Sequence, residues 1–156
     1  MTPAIRLLQY SGSRFELLEY THDAKAPAYG EEAARELGLS PKVVFKTLVA
    51  SLDDRRLAVA LVPVSHNLDL KALARAAGAK KATLADAALA ERATGYVVGG
   101  ISPLGQKQHL ATFIDASAER LERLYVSAGR RGLEIALSPL ELQRLTQADF
   151  AALARK

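Results

Sequence analysis

Val43-Val44-Phe45-Lys46-Thr47-Leu48-Val49-Ala50-Ser51 is the stretch on which the fold turns. Period-two alternation puts Val44, Lys46, Leu48 and Ala50 on one face and Val43, Phe45, Thr47 and Val49 on the other. Both faces are apolar, which predicts a strand covered on both sides. Asp53-Asp54-Arg55-Arg56 follows as a polar turn, and Leu57 to Val62 returns as a second apolar run. Together they predict an antiparallel hairpin. Lys46 is the anomaly within it. A buried ammonium is costly without a partner or a cavity. It either snorkels to the sheet edge or lines a pocket as a cation for an ester carbonyl or a phosphate.

Helix-like and strand-like segments alternate on either side of the hairpin. Thr2-Pro3 opens a helix, Thr as N-cap and Pro in the first turn, and Gly12 stops it. Phe15 to Tyr20 reads as a strand, Thr21 to Gly30 as a loop, and Glu31 to Leu37 as a short helix closed by Gly38. Leu70 to Ala77 and Ala85 to Ala93 read as alanine-rich helices. Tyr96-Val97-Val98 reads as a short strand running into the small-residue loop Gly99-Gly100-Ile101-Ser102-Pro103-Leu104-Gly105. Ala111 to Ile114, Leu124 to Ser127 and Leu133 to Leu137 are predicted strands, and Ser138-Pro139 starts a C-terminal helical region. The series predicts a mixed α/β fold with helices around a mixed sheet rather than a regular βαβ repeat.

The 156 residues suit one domain. Hydrophobic residues are 49% and charged residues 24%, a globular balance. With no Cys, a disulfide scaffold, a zinc ribbon and a cysteine nucleophile are excluded. No apolar run reaches the ~20 residues of a membrane span, and the first residues lack the pattern of a signal peptide. The expectation is a soluble, cytoplasmic protein. Lys and Arg number 21 against 17 Asp and Glu, a formal charge of +4, which permits a polyanionic partner without demanding one.

Phosphate-loop and dinucleotide fingerprints are absent. His22, His66 and His109 are scattered, so neither a metal nor a cofactor is expected. Gly100 to Gly105 is not a nucleophile elbow: its second glycine comes one residue late, and Pro103 removes the N–H that would serve an oxyanion hole after Ser102. The loop is either a tight turn or a close-approach loop whose N–H groups grip a carbonyl or phosphate. Tyr20, at a strand end, either packs an edge or points its hydroxyl at a pocket. Arg130-Arg131 either meets phosphates or is a solvated turn. Glu134 either binds a substrate amine or nearby cation or is a surface carboxylate.

Taken together, several segments give the chain a family likeness. They are Met1-Thr2-Pro3-Ala4, Phe45-Lys46-Thr47-Leu48-Val49, Leu68-Asp69-Leu70-Lys71 and Gly78-Ala79-Lys80-Lys81. The longest is Thr94 to Lys107, and Tyr125 to Leu133 completes the set. On these the chain resembles the YbaK family of Cys-tRNA(Pro) deacylases, within the group of YbaK and prolyl-tRNA-synthetase-associated editing domains. The resemblance spans nearly the whole chain, read as one editing domain over 1–156.

The resemblance implies a curved, barrel-like sheet with surrounding helices, and removal of cysteine from mischarged tRNA(Pro). A sister activity on Ala or another small amino acid, and a non-catalytic tRNA- or synthetase-binding module, are the alternatives. It implies that the substrate's own thiol attacks the ester carbonyl and leaves as a thiolactone, so the protein supplies positioning and electrostatics. Lys46 matches the family's essential lysine and Tyr20 its pocket tyrosine. Thr47, Gly99, Gly100, Ile101, Ser102, Ser127 and Glu134 match substrate-binding positions, with Glu134 standing where Asp is familiar. The implied partners are the aminoacylated 3′ end of tRNA and prolyl-tRNA synthetase.

Overall fold

The computed structural model describes residues 1–25 and 29–156, residue 29 by its backbone alone. The expected hairpin is its centre. Strand β2 (Phe45–Leu52) pairs antiparallel with β3 (Arg56–Pro63) over its full length, Lys46 opposite Val62 and Leu52 opposite Arg56. Asp53 and Asp54 turn the chain at φ of 54° and 55°, a left-handed conformation that Asp tolerates better than most residues. The Arg55 N–H closes the turn onto the Leu52 carbonyl at 3.0 Å.

Around the hairpin the chain runs α1 (Pro3–Tyr10), β1 (Glu16–Glu19), α2 (Tyr29–Glu36), then β2 and β3, then β4 (Asn67–Leu68), α3 (Leu70–Ala77), β5 (Ala82–Leu84) and α4 (Ala87–Thr94). It continues through β6 (Ala111–Asp115), a 3-10 helix Ala116–Arg120, β7 (Leu124–Ser127), β8 (Leu133–Leu137), α5 (Pro139–Thr146), β9 (Asp149–Ala151) and β10 (Ala154–Arg155). The larger sheet has the order β5-β2-β3-β6-β9, the smaller β1-β8-β7, and β10 pairs with β4. The β3–β6 and β6–β9 pairs are parallel and the remaining ladders antiparallel, so the sheet is mixed as expected. These sheets are open, and hydrogen bonds do not close a barrel among the described residues. The two larger sheets touch where Val44 bridges Tyr125, whose N–H donates to the Val43 carbonyl at 3.0 Å.

Local chemistry explains most boundaries. The Thr2 hydroxyl caps α1, Asp69 caps α3 through the N–H groups of Lys71 and Ala72, and Ser138 caps α5. Gly78 ends α3 in the left-handed region. The larger sheet buries both faces. One packs against α3 through Ala50, Leu52, Ala60, Val62 and Leu73. The other meets the smaller sheet and α1 through Phe45, Val59, Leu61, Ile114, Val126 and Ile135.

Three readings need correction. Tyr96-Val97-Val98 is not a strand: Tyr96 is buried with its hydroxyl donating to the Leu104 carbonyl at 2.6 Å, while Val97 and Val98 stand exposed. The loop expected over 21–30 ends earlier, because Gly30 lies inside α2; Pro27 lies outside the described residues. The C-terminal region is helical only to Thr146 and then supplies β9 and β10.

Those last strands are pinned by one buried carboxylate. Asp115 accepts from the N–H groups of Leu153 at 2.8 Å, Ala154 at 3.0 Å and Ser117 at 3.2 Å. Burial raises its affinity for a proton, yet these donors hold it below the usual aspartate range. Replacing Asp115 by Ala leaves buried amides unpaired and should cost about 3 kcal/mol. Urea unfolding measures that loss, and amide exchange at Leu153 and Ala154 should rise with it. Unchanged stability would mean that the carboxylate is not what holds the C-terminal strands.

Candidate functional site

Strand β2 has a partner on its second edge for only three residues. β5 pairs with Ala50, Ser51 and Leu52, and the Ala85 N–H makes a last bond to the Val49 carbonyl at 2.9 Å. Beyond it the chain turns into α4, and the edge from Phe45 to Leu48 borders a cavity of about 390 Å³. That is within the usual range for a small-molecule pocket.

Lys46 and Thr47 reach the cavity from this edge. Tyr20, Ser127 and Glu134 reach it from the smaller sheet, Gly99 and Ile101 from the loop after α4. The hairpin, the β1-β8-β7 sheet and the glycine loop therefore converge although their residues are far apart in sequence. Gly100 is buried just behind the wall, where its carbonyl accepts from the Ser127 hydroxyl at 3.2 Å. A Cβ on Gly100 would come within 2.8 Å of the Arg130 Cα, so the loop can lie this close to the 129–132 turn only as glycine.

Ser102 is the expected member that does not join. It is fully buried outside the cavity lining; its hydroxyl accepts from the Leu104 N–H at 3.2 Å and its carbonyl from the Gln106 side chain at 2.9 Å. It shapes the turn rather than facing a ligand.

Lys46 is half-buried, and among the described residues no carboxylate lies within ion-pair distance of it. Burial pulls its ammonium below the usual lysine value, partly offset by Glu31 on α2. Tyr20 is held by its N–H to the Gly132 carbonyl at 3.0 Å, and burial raises its hydroxyl's pKa.

Two buried glutamates frame the site with opposite outcomes. Glu32, 1% exposed, accepts from the Asp23 N–H at 2.8 Å, lies 2.8 Å from His22 Nδ1 and faces Arg131 at 3.8 Å. Burial pushes it up, but these partners bring it below the usual glutamate range. Glu134, 5% exposed, has a buried oxygen with no hydrogen-bond partner, and burial pushes its carboxyl up to about 8. Thr47 likewise has a buried hydroxyl without a partner. Two unsatisfied polar groups lining one cavity, Thr47 from β2 and Glu134 from β8, suit a polar ligand.

Other parts of the wall carry no sequence motif. Gly30 lets α2 approach Val64, just past the end of β3, since a Cβ there would fall 2.3 Å from Val64 Cγ1. Glu31 follows it at the rim, and Leu84 and Val98 form an apolar lip, 59% and 40% exposed. The acidic start of α2 was the advance signal for Glu31; Leu84 and Val98 had none, since Val98 was read into a strand. Arg130 also lines the cavity, while Arg131 turns to Glu32. Among the described residues, no helix is long and apolar enough to cross a membrane.

Comparison with known proteins gives this geometry a context. A family model described as "Aminoacyl-tRNA editing domain" matches residues 24–145. A protein of Enterococcus faecalis, EbsC, provisionally named a Cys-tRNA(Pro)/Cys-tRNA(Cys) deacylase, is 38% identical over 126 residues, covering 81% of this chain and 77% of its own. Among solved structures, one provisionally described as a trans-editing enzyme for prolyl-tRNA synthetase superposes with a TM-score of 0.85 at 23% identity, covering 100% of this chain and 99% of its own. A second, a hypothetical protein, reaches 0.88 at 24% identity, with 99% and 100% covered. Both structures speak to the fold alone.

Glu134 makes stability depend on pH in a defined direction. Between its ordinary value of 4.5 and about 8 the unfolded chain ionises this group while the folded chain keeps its proton. Stability therefore falls as pH rises through that window and levels off above it. Glu134→Gln removes this fall, so the gap in Tm between variant and wild type should widen by roughly 5–10 °C from pH 5 to pH 8. Parallel melting curves across that range would show the carboxyl to be ionised in the folded chain.

Proposed function

The chain belongs to the aminoacyl-tRNA editing domain family, and from that premise we propose that it is a trans-editing deacylase that clears cysteine from mischarged Cys-tRNA(Pro). The observation that carries the reading is the cavity at the uncovered edge of β2. A partly desolvated Lys46, with no carboxylate in ion-pair distance among the described residues, stands on its wall opposite the Tyr20, Ser127 and Glu134 side, and the chain has no Cys to act as nucleophile.

The missing nucleophile is supplied by the substrate. The cysteine thiol loses its proton as its sulfur attacks the ester carbonyl carbon. The carbonyl oxygen carries the developing negative charge, and the bond from carbon to the ribose oxygen then breaks. The ribose oxygen takes up a proton, giving free tRNA and a cysteine thiolactone. Lys46 stabilises the developing oxyanion, a contribution that its partial desolvation strengthens. Tyr20 and the backbone around Gly99 and Ile101 orient the ester. Thr47 and Ser127 complete the polar wall, and Glu134, protonated at neutral pH, donates a hydrogen bond where an ionised carboxylate would hold the substrate ammonium. Ser102 acts only through the loop it shapes.

A synthetase pocket sized for proline cannot strongly reject cysteine by binding alone, so an editing step is chemically warranted. The whole chain is read as one editing domain working in the cytoplasm beside prolyl-tRNA synthetase, which contributes selectivity for the tRNA. Deacylation of Ala-tRNA(Pro) is the nearest rival, and the thiol separates the two.

Single-turnover deacylation of labelled Cys-, Ser- and Ala-tRNA(Pro) tests the assignment. Cys is expected to be lost at least about a hundredfold faster than Ser, because serine lacks the attacking thiol. Lys46→Ala should reduce the Cys rate by a factor of about 10²–10³. It should melt within a few degrees of wild type, since the ammonium has no ion pair among the described residues to lose. Equal rates on Ser and Cys would exclude thiol assistance, loss of Ala alone would move the activity to the sister class, and full activity in Lys46→Ala would remove that lysine from the mechanism.

A further inference from the structure

Basic residues look dispersed along the sequence, but the fold gathers four of them. The β2–β3 turn is clasped to the segment between α3 and β5. Asp53 accepts from the Lys81 N–H at 2.8 Å and the Lys80 N–H at 3.0 Å, and its own N–H donates to the Lys81 carbonyl at 2.9 Å. The Arg56 guanidinium donates to the Ala77 carbonyl at 2.9 Å. The clasp uses the backbone of Lys80 and Lys81, so their ammonium groups remain exposed beside Arg55 and Arg56. Among the described residues none of the four has a carboxylate within ion-pair distance, whereas Arg123, Arg131 and Arg144 are paired with Glu16, Glu32 and Glu141. Four cations face the two carboxylates of Asp53 and Asp54, and the Asp53 side chain is engaged by amides.

We propose that this platform of Arg55, Arg56, Lys80 and Lys81 binds the phosphate backbone of the RNA whose aminoacyl ester enters the cavity. The inference rests on the editing reading and extends it to a surface outside the cavity. A space of about 390 Å³ takes an aminoacyl group and part of one nucleoside, so the rest of the RNA leaves through the mouth. Leu84, on the apolar lip, ends β5, and Lys81 immediately precedes that strand, a span of about 10 Å. On the α2 side the rim carries Glu31, which repels phosphate. The two rims thus set a direction: the terminal base against Leu84 and Val98, and the following phosphates toward the clasped turn.

The test compares Arg55→Gln/Lys80→Gln/Lys81→Gln with a control of equal charge loss, Arg6→Gln/Arg14→Gln/Arg120→Gln, at exposed positions on other elements. Arg56 is kept because it braces Ala77. Each is assayed for deacylation of Cys-tRNA(Pro) at several salt concentrations, for binding of uncharged tRNA, and for cleavage of cysteine ethyl ester. The platform variant should raise KM for Cys-tRNA(Pro) and Kd for tRNA about tenfold or more at low salt, with kcat unchanged. Its log–log salt dependence should flatten by about two, at 0.7–0.9 per lost phosphate contact. Cleavage of the small ester should stay at the wild-type rate, which also establishes that the variant is folded. An unchanged KM and salt slope, or an equal loss in the control, would overturn the platform. Wild-type protein that binds tRNA but cleaves no aminoacyl ester would overturn the editing reading while leaving the platform's tRNA-binding comparison intact.

Discussion

Strand β2 is paired along its whole length with β3 and for only three residues with β5. The rest of the site depends on that inequality. A strand edge must find partners for its backbone groups or leave them to water or a ligand. Here β5 ends, the chain swings into α4, and the uncovered edge becomes one wall of a cavity. The opposite wall is a second sheet, brought close by the contact of Val44 with Tyr125. A strand that is paired on both edges at its turn end therefore borders the cavity at its start, and Lys46 falls on that part.

The two buried glutamates show how the surroundings divide the work. Glu32 meets three polar partners and stays ionised, which ties α2 to the Asp23 segment and to Arg131. Glu134 has an oxygen that meets none, and its carboxyl is neutral at physiological pH. The same side chain is a fastener in one place and an uncommitted donor in the other. Lys46 is poised in a related way: burial lowers the stability of its charge, and negative charge arriving in the cavity restores it. Both groups line the same cavity, and in both burial disfavours the charged form.

Much of this was legible in the sequence. The hairpin, α3 and β8 follow from alternation, caps and glycine stops, and Lys46 stood out as a charge in an apolar strand. Strands β4, β5, β9 and β10 were not legible, because two or three residues carry no periodicity and their pairing is decided by distant segments. The Tyr96-Val97-Val98 reading failed for a related reason: β-forming residues make no strand without a partner, and the Tyr96 hydroxyl found the Leu104 carbonyl instead. Ser102 was named with its loop on the family resemblance; it lies outside the cavity lining, where its hydroxyl closes its own turn. The cationic platform was invisible because Asp53 joins segments more than 25 residues apart.

Asp115 also bears on the order in which the molecule is made. Its amide partners at Leu153 and Ala154 lie 38 and 39 residues further along the chain. A nascent chain that has emerged only through β6 thus holds a carboxylate at the edge of its central sheet with its partners still to come. Burying that group early would be expensive, so the sheet gains by staying loose until the C-terminal strands arrive. The parallel joins of β3 with β6 and of β6 with β9 favour the same timing, since non-local pairing forms slowly. During translation, the segment from Asp149 to Ala154 thus acts as the lock that closes the sheet over Asp115.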